Sequence, residues 1–302
     1  MRSTCEERLA HCGGLTLAYE EFGDADGEPL VLIAGLGMQM LYWEAEFCRL
    51  LAGSGLRVIR FDNRDCGHST KFENVPGARA LDLFTGRRAT APYLLSDMAA
   101  DVGGLLDNLG VTAAHLAGSS LGAMIAQTVA IEHPSRVLSL ASISSTTGSR
   151  MFAIPTLRGM RAIFRRSGND RQAAVEAKVR MLCAIGSPAY PPDPERVRRI
   201  VRASHDRDHD PAVVARQMHA IQASGDRTSA LRRLQVPTTV IHGLADPIYR
   251  PSAARATARA IPAARLVMID GMGHDLPPAL WPRFATEILA LVERGGLRPG
   301  RS

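Results

Sequence analysis

A run of five residues, Gly118-Ser119-Ser120-Leu121-Gly122, constrains this chain more than any other. The stretch before it, Ala113 to Ala117, is apolar, and the stretch after it, Ala123 to Glu132, has helical character. A G-x-S-x-G between a strand and a helix predicts a turn so tight that its central serine is held in a strained backbone conformation. A Cβ at 118 or 122 would collide with the neighbouring helix or strand, so both positions are glycine. Ser120 is thereby pushed out at the head of a helix, where free N–H groups favour negative charge. It is the candidate nucleophile. Ser119 is the weaker alternative, because it is not central between the glycines.

A serine is inert until a base takes its proton, and that base needs an orienting acid. The expected chain order after such an elbow is Ser, then Asp or Glu, then His. Val236 to Ile241 reads as a buried strand, followed by the turn His242-Gly243-Leu244-Ala245-Asp246-Pro247. Arg265 to Ile269 is the next strand, and Asp270-Gly271-Met272-Gly273-His274 leaves its end. Asp246 and His274 therefore lie in loops after the carboxyl ends of strands, where open parallel sheets place their sites. Asp270 and Asp275 are rival acids. His242, ending a strand before a tight turn, reads as structural.

Three further segments share a pattern with the triad candidates: Leu30-Val31-Leu32-Ile33-Ala34-Gly35-Leu36-Gly37, Phe61-Asp62-Asn63-Arg64-Asp65-Cys66-Gly67-His68-Ser69, and the strand Leu138 to Ile143. Together they resemble the α/β-hydrolase superfamily from about Leu15 to Val292. Ala34 departs from the pattern, since many relatives carry histidine before the oxyanion glycine. The loops look most similar to the aclacinomycin methylesterase group and to the serine esterases that open macrolide antibiotics. The resemblance implies an α/β fold with a mostly parallel doubly wound sheet. It also implies an oxyanion hole made by the backbone N–H groups of Leu36 and Leu121. No cofactor and no metal is expected.

At 302 residues and 46% apolar, the chain can bury one sizeable core with an insertion. Its longest apolar runs are strand-length, so no membrane span is expected. The start of the sequence lacks the apolar centre of a signal peptide. The five cysteines, Cys5, Cys12, Cys48, Cys66 and Cys183, are scattered without ligand spacing and read as reduced thiols of a cytoplasmic protein. The net charge of +6 is almost wholly arginine, Lys71 and Lys178 being the only lysines. It forms no stripe interleaved with aromatics, so no nucleic-acid partner is expected.

A hairpin opens the chain, with a Gly13-Gly14 turn before Leu15 to Phe22. Strands then alternate with helical stretches, the mark of a doubly wound sheet. Residues 1–143 and 235–302 form the expected hydrolase core, and 144–234 a helical cap. Helical stretches are predicted near Leu157–Arg166, Asp170–Ala184, Pro194–His205 and Pro211–Ser224. Lys71 to Pro92 is too long to be a mere connector.

The cap carries Met151, Phe152, Ile154, Phe164, Met181 and Tyr190 among other apolar residues, an adaptable wall for a bulky ligand or simply the cap's own core. Met38 and Trp43, just past the oxyanion loop, are the substrate-binding candidates. The expected partner is a small-molecule ester, with ring-opening of a macrolide antibiotic, and hence resistance, as the leading expectation. The arginine-rich cap sits poorly with a macrolide's cationic amino sugar. A general carboxylesterase, a thioesterase, a polyketide methylesterase and a non-catalytic ligand receptor are the alternatives.

Overall fold

The computed structural model describes residues 6–72, 91–152, 155–163 and 170–296. Most of the long Lys71–Pro92 connection, Cys5, Ile154, Phe164 and the last residues of the first predicted cap helix lie outside these ranges.

The strands are β1 (Arg8–Cys12), β2 (Leu15–Phe22), β3 (Glu28–Ile33), β4 (Leu56–Phe61), β5 (Ala114–Ser119), β6 (Val137–Ile143), β7 (Thr238–Gly243) and β8 (Arg265–Ile269). They form one sheet in the order β1-β2-β4-β3-β5-β6-β7-β8. β1, β2 and β4 pair antiparallel, and every pairing from β4 to β8 is parallel. Cys12 pairs with Leu15 across the hairpin, leaving a two-residue turn of Gly13 at φ 55° and Gly14 at φ 94°. Positive φ at both central residues matches the twist of the strands and calls for glycine.

Parallel strands with helices on both faces bury both sets of side chains. On β3, Val31 and Ile33 face one apolar cluster while Leu30 and Leu32 face the other. The first cluster takes in Met98 and Val102 of the helix Leu95–Asn108 and Ile125 and Val129 of the helix Leu121–Glu132. The second takes in Phe47 and Leu51 of Ala45–Ala52, and Phe284 and Ile288 of Trp281–Gly296. The result is a three-layer α/β/α fold.

β6 and β7 are adjacent, yet residues 144–237 separate them. That excursion holds the helices Leu157–Ile163, Arg171–Ile185, Pro194–Arg207, Val213–Ser224 and Thr228–Leu231. Two have aspartate caps: Asp170 accepts from Ala173 N at 2.8 Å, and Asp193 accepts from Glu195 N at 2.9 Å ahead of Pro194. The excursion leaves from the carboxyl edge of the sheet, where β3, β5, β7 and β8 also end.

Candidate active site

Ser120 sits between β5 and the helix Leu121–Glu132 with φ 56° and ψ −116°. A left-handed φ on a residue with a Cβ is costly and persists only where its surroundings enforce it. Here the enforcement is visible. A Cβ on Gly118 would lie 2.2 Å from the Gly122 oxygen, and one on Gly122 would lie 2.0 Å from the Ile33 oxygen. Strand, helix and β3 thus close on each other with no room for side chains. The Ser120 amide is tied to the Ile143 carbonyl at 2.9 Å, which couples the elbow to the end of β6. Ser119 is buried, its hydroxyl 3.2 Å from the Tyr42 hydroxyl. Of the two serines, Ser120 is the one that reaches the histidine.

His274 Nε2 lies 3.1 Å from Ser120 Oγ, and His274 Nδ1 lies 2.7 Å from Asp246 Oδ2. An ionised carboxylate only accepts, so Nδ1 carries the proton, and the Ser120 hydroxyl donates to Nε2. Asp246 is buried, and burial alone would raise its pKa. The nearby His274 imidazole, its hydrogen bond and the backbone N–H groups of Ile248 (2.7 Å) and Tyr249 (3.0 Å) outweigh that and hold the carboxyl below its ordinary value. The His274 amide donates to Ile185 O at 2.9 Å, so the histidine loop is fastened to the end of the helix Arg171–Ile185.

The rival acids stand elsewhere. Asp270 is exposed and accepts from the next amide, that of Gly271. Asp275 accepts from Ser187 Oγ, and burial pushes its carboxyl above the ordinary value. His242 is buried with Nε2 on Tyr249 O at 2.8 Å, and burial lowers its pKa. It supports the Asp246 turn.

The loop after β3 abuts the elbow, a Cβ on Gly35 lying 3.4 Å from Ser120 Cβ. Asn63 Nδ2 donates to Ala34 O at 3.0 Å, Met38 N to Gly35 O at 3.1 Å, and Gly37 N to Gln217 Oε1 at 2.8 Å. Leu36 is held between these ties. Leu121 is the first residue of its helix, so its N–H has no partner four residues back.

Met38 is half-buried beside this loop. Trp43 corrects its expectation. It is fully buried, stacked on Phe47 at 6.0 Å and edge-on to Tyr42, so it is core and offers a ligand no surface. The chain turns inward just after the loop, and closeness in sequence misled.

Sequence reasoning missed Gln217 and Tyr42. Gln217 is fully buried and reaches the loop across 180 positions, a relation that no local pattern carries. Among the described residues, no group of three His, Cys, Asp or Glu side chains is placed to hold a metal, and no helix is long and apolar enough to cross a membrane.

The chain is similar to known proteins along most of its length. Residues 28–277 match the family described as the alpha/beta hydrolase fold. Two rhodomycin D methylesterases, from Streptomyces sp. (strain C5) and Streptomyces peucetius, are each 30% identical over 298 residues, covering 91% of this chain and 94% of theirs. A hydrolase from Pseudomonas aeruginosa PA01 superposes with a TM-score of 0.70 at 24% identity, covering 97% of this chain and 99% of that one.

Proposed function

The chain belongs to the α/β-hydrolase family, and on that premise we propose that it is a carboxylic ester hydrolase with Ser120 as nucleophile, His274 as base and Asp246 as orienting acid. One observation carries the reading: a single imidazole is hydrogen-bonded to Ser120 through one nitrogen and to a buried carboxylate through the other.

The chemistry follows from charge. His274 takes the Ser120 proton as Oγ attacks the ester carbonyl, and Asp246 steadies the imidazolium. The carbonyl oxygen becomes an anion, met by the N–H groups of Leu121 and Leu36. Each such donor lowers the barrier by roughly 2.7–4 kcal/mol. His274 then protonates the leaving alcohol, and water releases the acyl group by the reverse path. The helices between β6 and β7 form a cap that admits the substrate and screens the acyl-enzyme from solvent.

The substrate we propose is a bulky polyketide-like methyl ester. Kinship to methylesterases over nine-tenths of the chain favours it above opening of a macrolide ring. Both readings are tested by incubating the protein with a methyl-ester anthracycline and a panel of macrolides, then measuring product mass. Methyl ester cleavage removes one methylene and releases methanol, whereas ring opening adds one water. A protein that leaves every methyl ester intact but linearises a macrolide returns the macrolide reading to first place. A protein that hydrolyses neither, and whose Ser120 resists an organophosphonate, is not the hydrolase proposed.

A further inference from the structure

The helix Arg171–Ile185 touches both halves of the site. Its last residue, Ile185, holds the His274 amide, and about two turns earlier Lys178 reaches the loop after β3. Gly37 in that loop has φ 60°. A Cβ there would lie 2.6 Å from Val214 Cγ2 and 4.0 Å from Lys178 Nζ. The half-buried lysine thus sets its ammonium against the loop that abuts Ser120.

Most buried or half-buried cations between β6 and β7 meet carboxylates: Arg196 with Glu44, Arg198 with Glu176, Arg207 with Asp62 and Arg216 with Asp65. Arg227 has no carboxylate partner among the described residues, and its guanidinium is met instead by Gln127 Oε1 and the carbonyls of Thr146 and Gly225. The only other lysine, Lys71, meets Asp208. Lys178 has no hydrogen bond and no ion pair among the described residues. Burial lowers its pKa, and the buried Cys66 thiol opposes that shift. A half-buried ammonium without a counter-charge is costly unless something supplies one. A single point charge with no arginine fork beside it suits one anionic oxygen rather than a phosphate.

We infer that Lys178 is a specificity-determining residue that receives a carboxylate or ionised phenol of the substrate, beside the ester that Ser120 attacks. This rests on the reading of Ser120 as nucleophile, so binding and turnover are tested apart. In the Ser120→Ala protein, dissociation constants are measured for monomethyl esters of dicarboxylic acids of increasing length and for methyl hydroxybenzoates. Their neutral dimethyl and methoxy counterparts are measured alongside. Adding Lys178→Met should weaken the anionic ligands by at least about tenfold and leave the neutral ones unchanged. Lys178→Arg should keep the preference. A carboxylate preference without a phenolate preference, or the reverse, identifies which oxygen is taken.

With Ser120 intact, Lys178→Met should raise KM for the anionic esters and leave kcat on neutral esters as it was. Equal loss on charged and neutral ligands, no loss on either, or no measurable binding of any anionic ester overturns the inference. If the anionic ligands bind as expected but nothing is hydrolysed, the assignment of Lys178 stands and that of Ser120 as nucleophile fails.

Discussion

The side-chain oxygen of Gln217 accepts the Gly37 amide at 2.8 Å, so a helix of the inserted segment fixes the loop that faces Ser120. The same side chain donates to Cys66 Sγ at 3.2 Å, which sets its orientation. The bond to Gly37 holds that residue next to Leu36, whose N–H is the proposed oxyanion donor. On the proposed reading of the site, Gln217 is a positioning residue for that loop.

Gln217→Leu should lower kcat by about tenfold to a hundredfold with little change in KM, because a loop displaced by a fraction of an ångström loses aim at the transition state. Gln217→Glu keeps the acceptor for Gly37 and should retain more of the activity than leucine does. Titrating active sites with a phosphonate separates the two explanations for a loss. A merely unstable protein shows fewer active sites at normal kcat per site, whereas a misaimed loop shows the full number at reduced kcat.

Asp246→Asn should leave the fold intact and lower kcat by up to about 10⁴-fold, since the wrong imidazole tautomer is then favoured. Asp270→Asn should be close to wild type, because that carboxylate is exposed and turned to its own neighbour's amide. Steady-state kinetics on one chromogenic ester decides between them. An inactive Asp270→Asn beside an active Asp246→Asn means that the acid has been misassigned.

These side chains were legible to very different degrees. Ser120, Asp246 and His274 stand in short loops after apolar strands, and tight loops write their constraints into neighbouring residues. The elbow glycines are needed because a Cβ there would lie within about 2 Å of backbone oxygens, a local demand that shows as a pattern. The hairpin turn is legible for the same reason. Gln217, Lys178 and Arg216 owe their places to how two helices rest on loops far away in the chain, and packing across such separations leaves no local trace. Lys178 left only a compositional hint, as one of two lysines among many arginines. Trp43 shows the opposite failure: proximity to the oxyanion loop suggested a wall, yet the core claimed it.

Asp246 and Asp275 flank His274 in the chain or in space, and their carboxyls are shifted in opposite directions. Asp246 is held below its ordinary value, so its charge contributes stability that is present above about pH 4 and lost as pH falls through its lowered pKa. Asp275 is raised by burial, so its contribution is present below about pH 4 and lost as pH rises through its raised pKa. Asp246→Asn should therefore cost stability at neutral pH, and that cost should shrink only below about pH 4. Asp275→Asn should gain on the wild type as pH climbs from about 4 toward neutral. Melting temperatures of both variants across this range check the signs. Parallel curves for the two would remove the claimed asymmetry.

Arg216 and Asp65 make the most deeply buried ion pair between the inserted helices and the core. Their side chains are 2% and 0% exposed, and the guanidinium grips the carboxylate through Nε at 2.5 Å and Nη2 at 2.8 Å. Asp65 also accepts from Tyr93 Oη at 2.9 Å and Phe72 N at 3.1 Å, so its charge is met on several sides. Removing only the arginine leaves that carboxylate buried and undercompensated. Arg216→Met should thus destabilise by about 3–5 kcal/mol, read from urea unfolding. Asp65 has φ 75°, a conformation that asparagine tolerates well, so Asp65→Asn removes the charge without straining the backbone. The double variant Asp65→Asn/Arg216→Met should then be more stable than Arg216→Met alone. Simple addition of the two single losses would mean that the residues are not coupled, and that the cap is held by its other contacts.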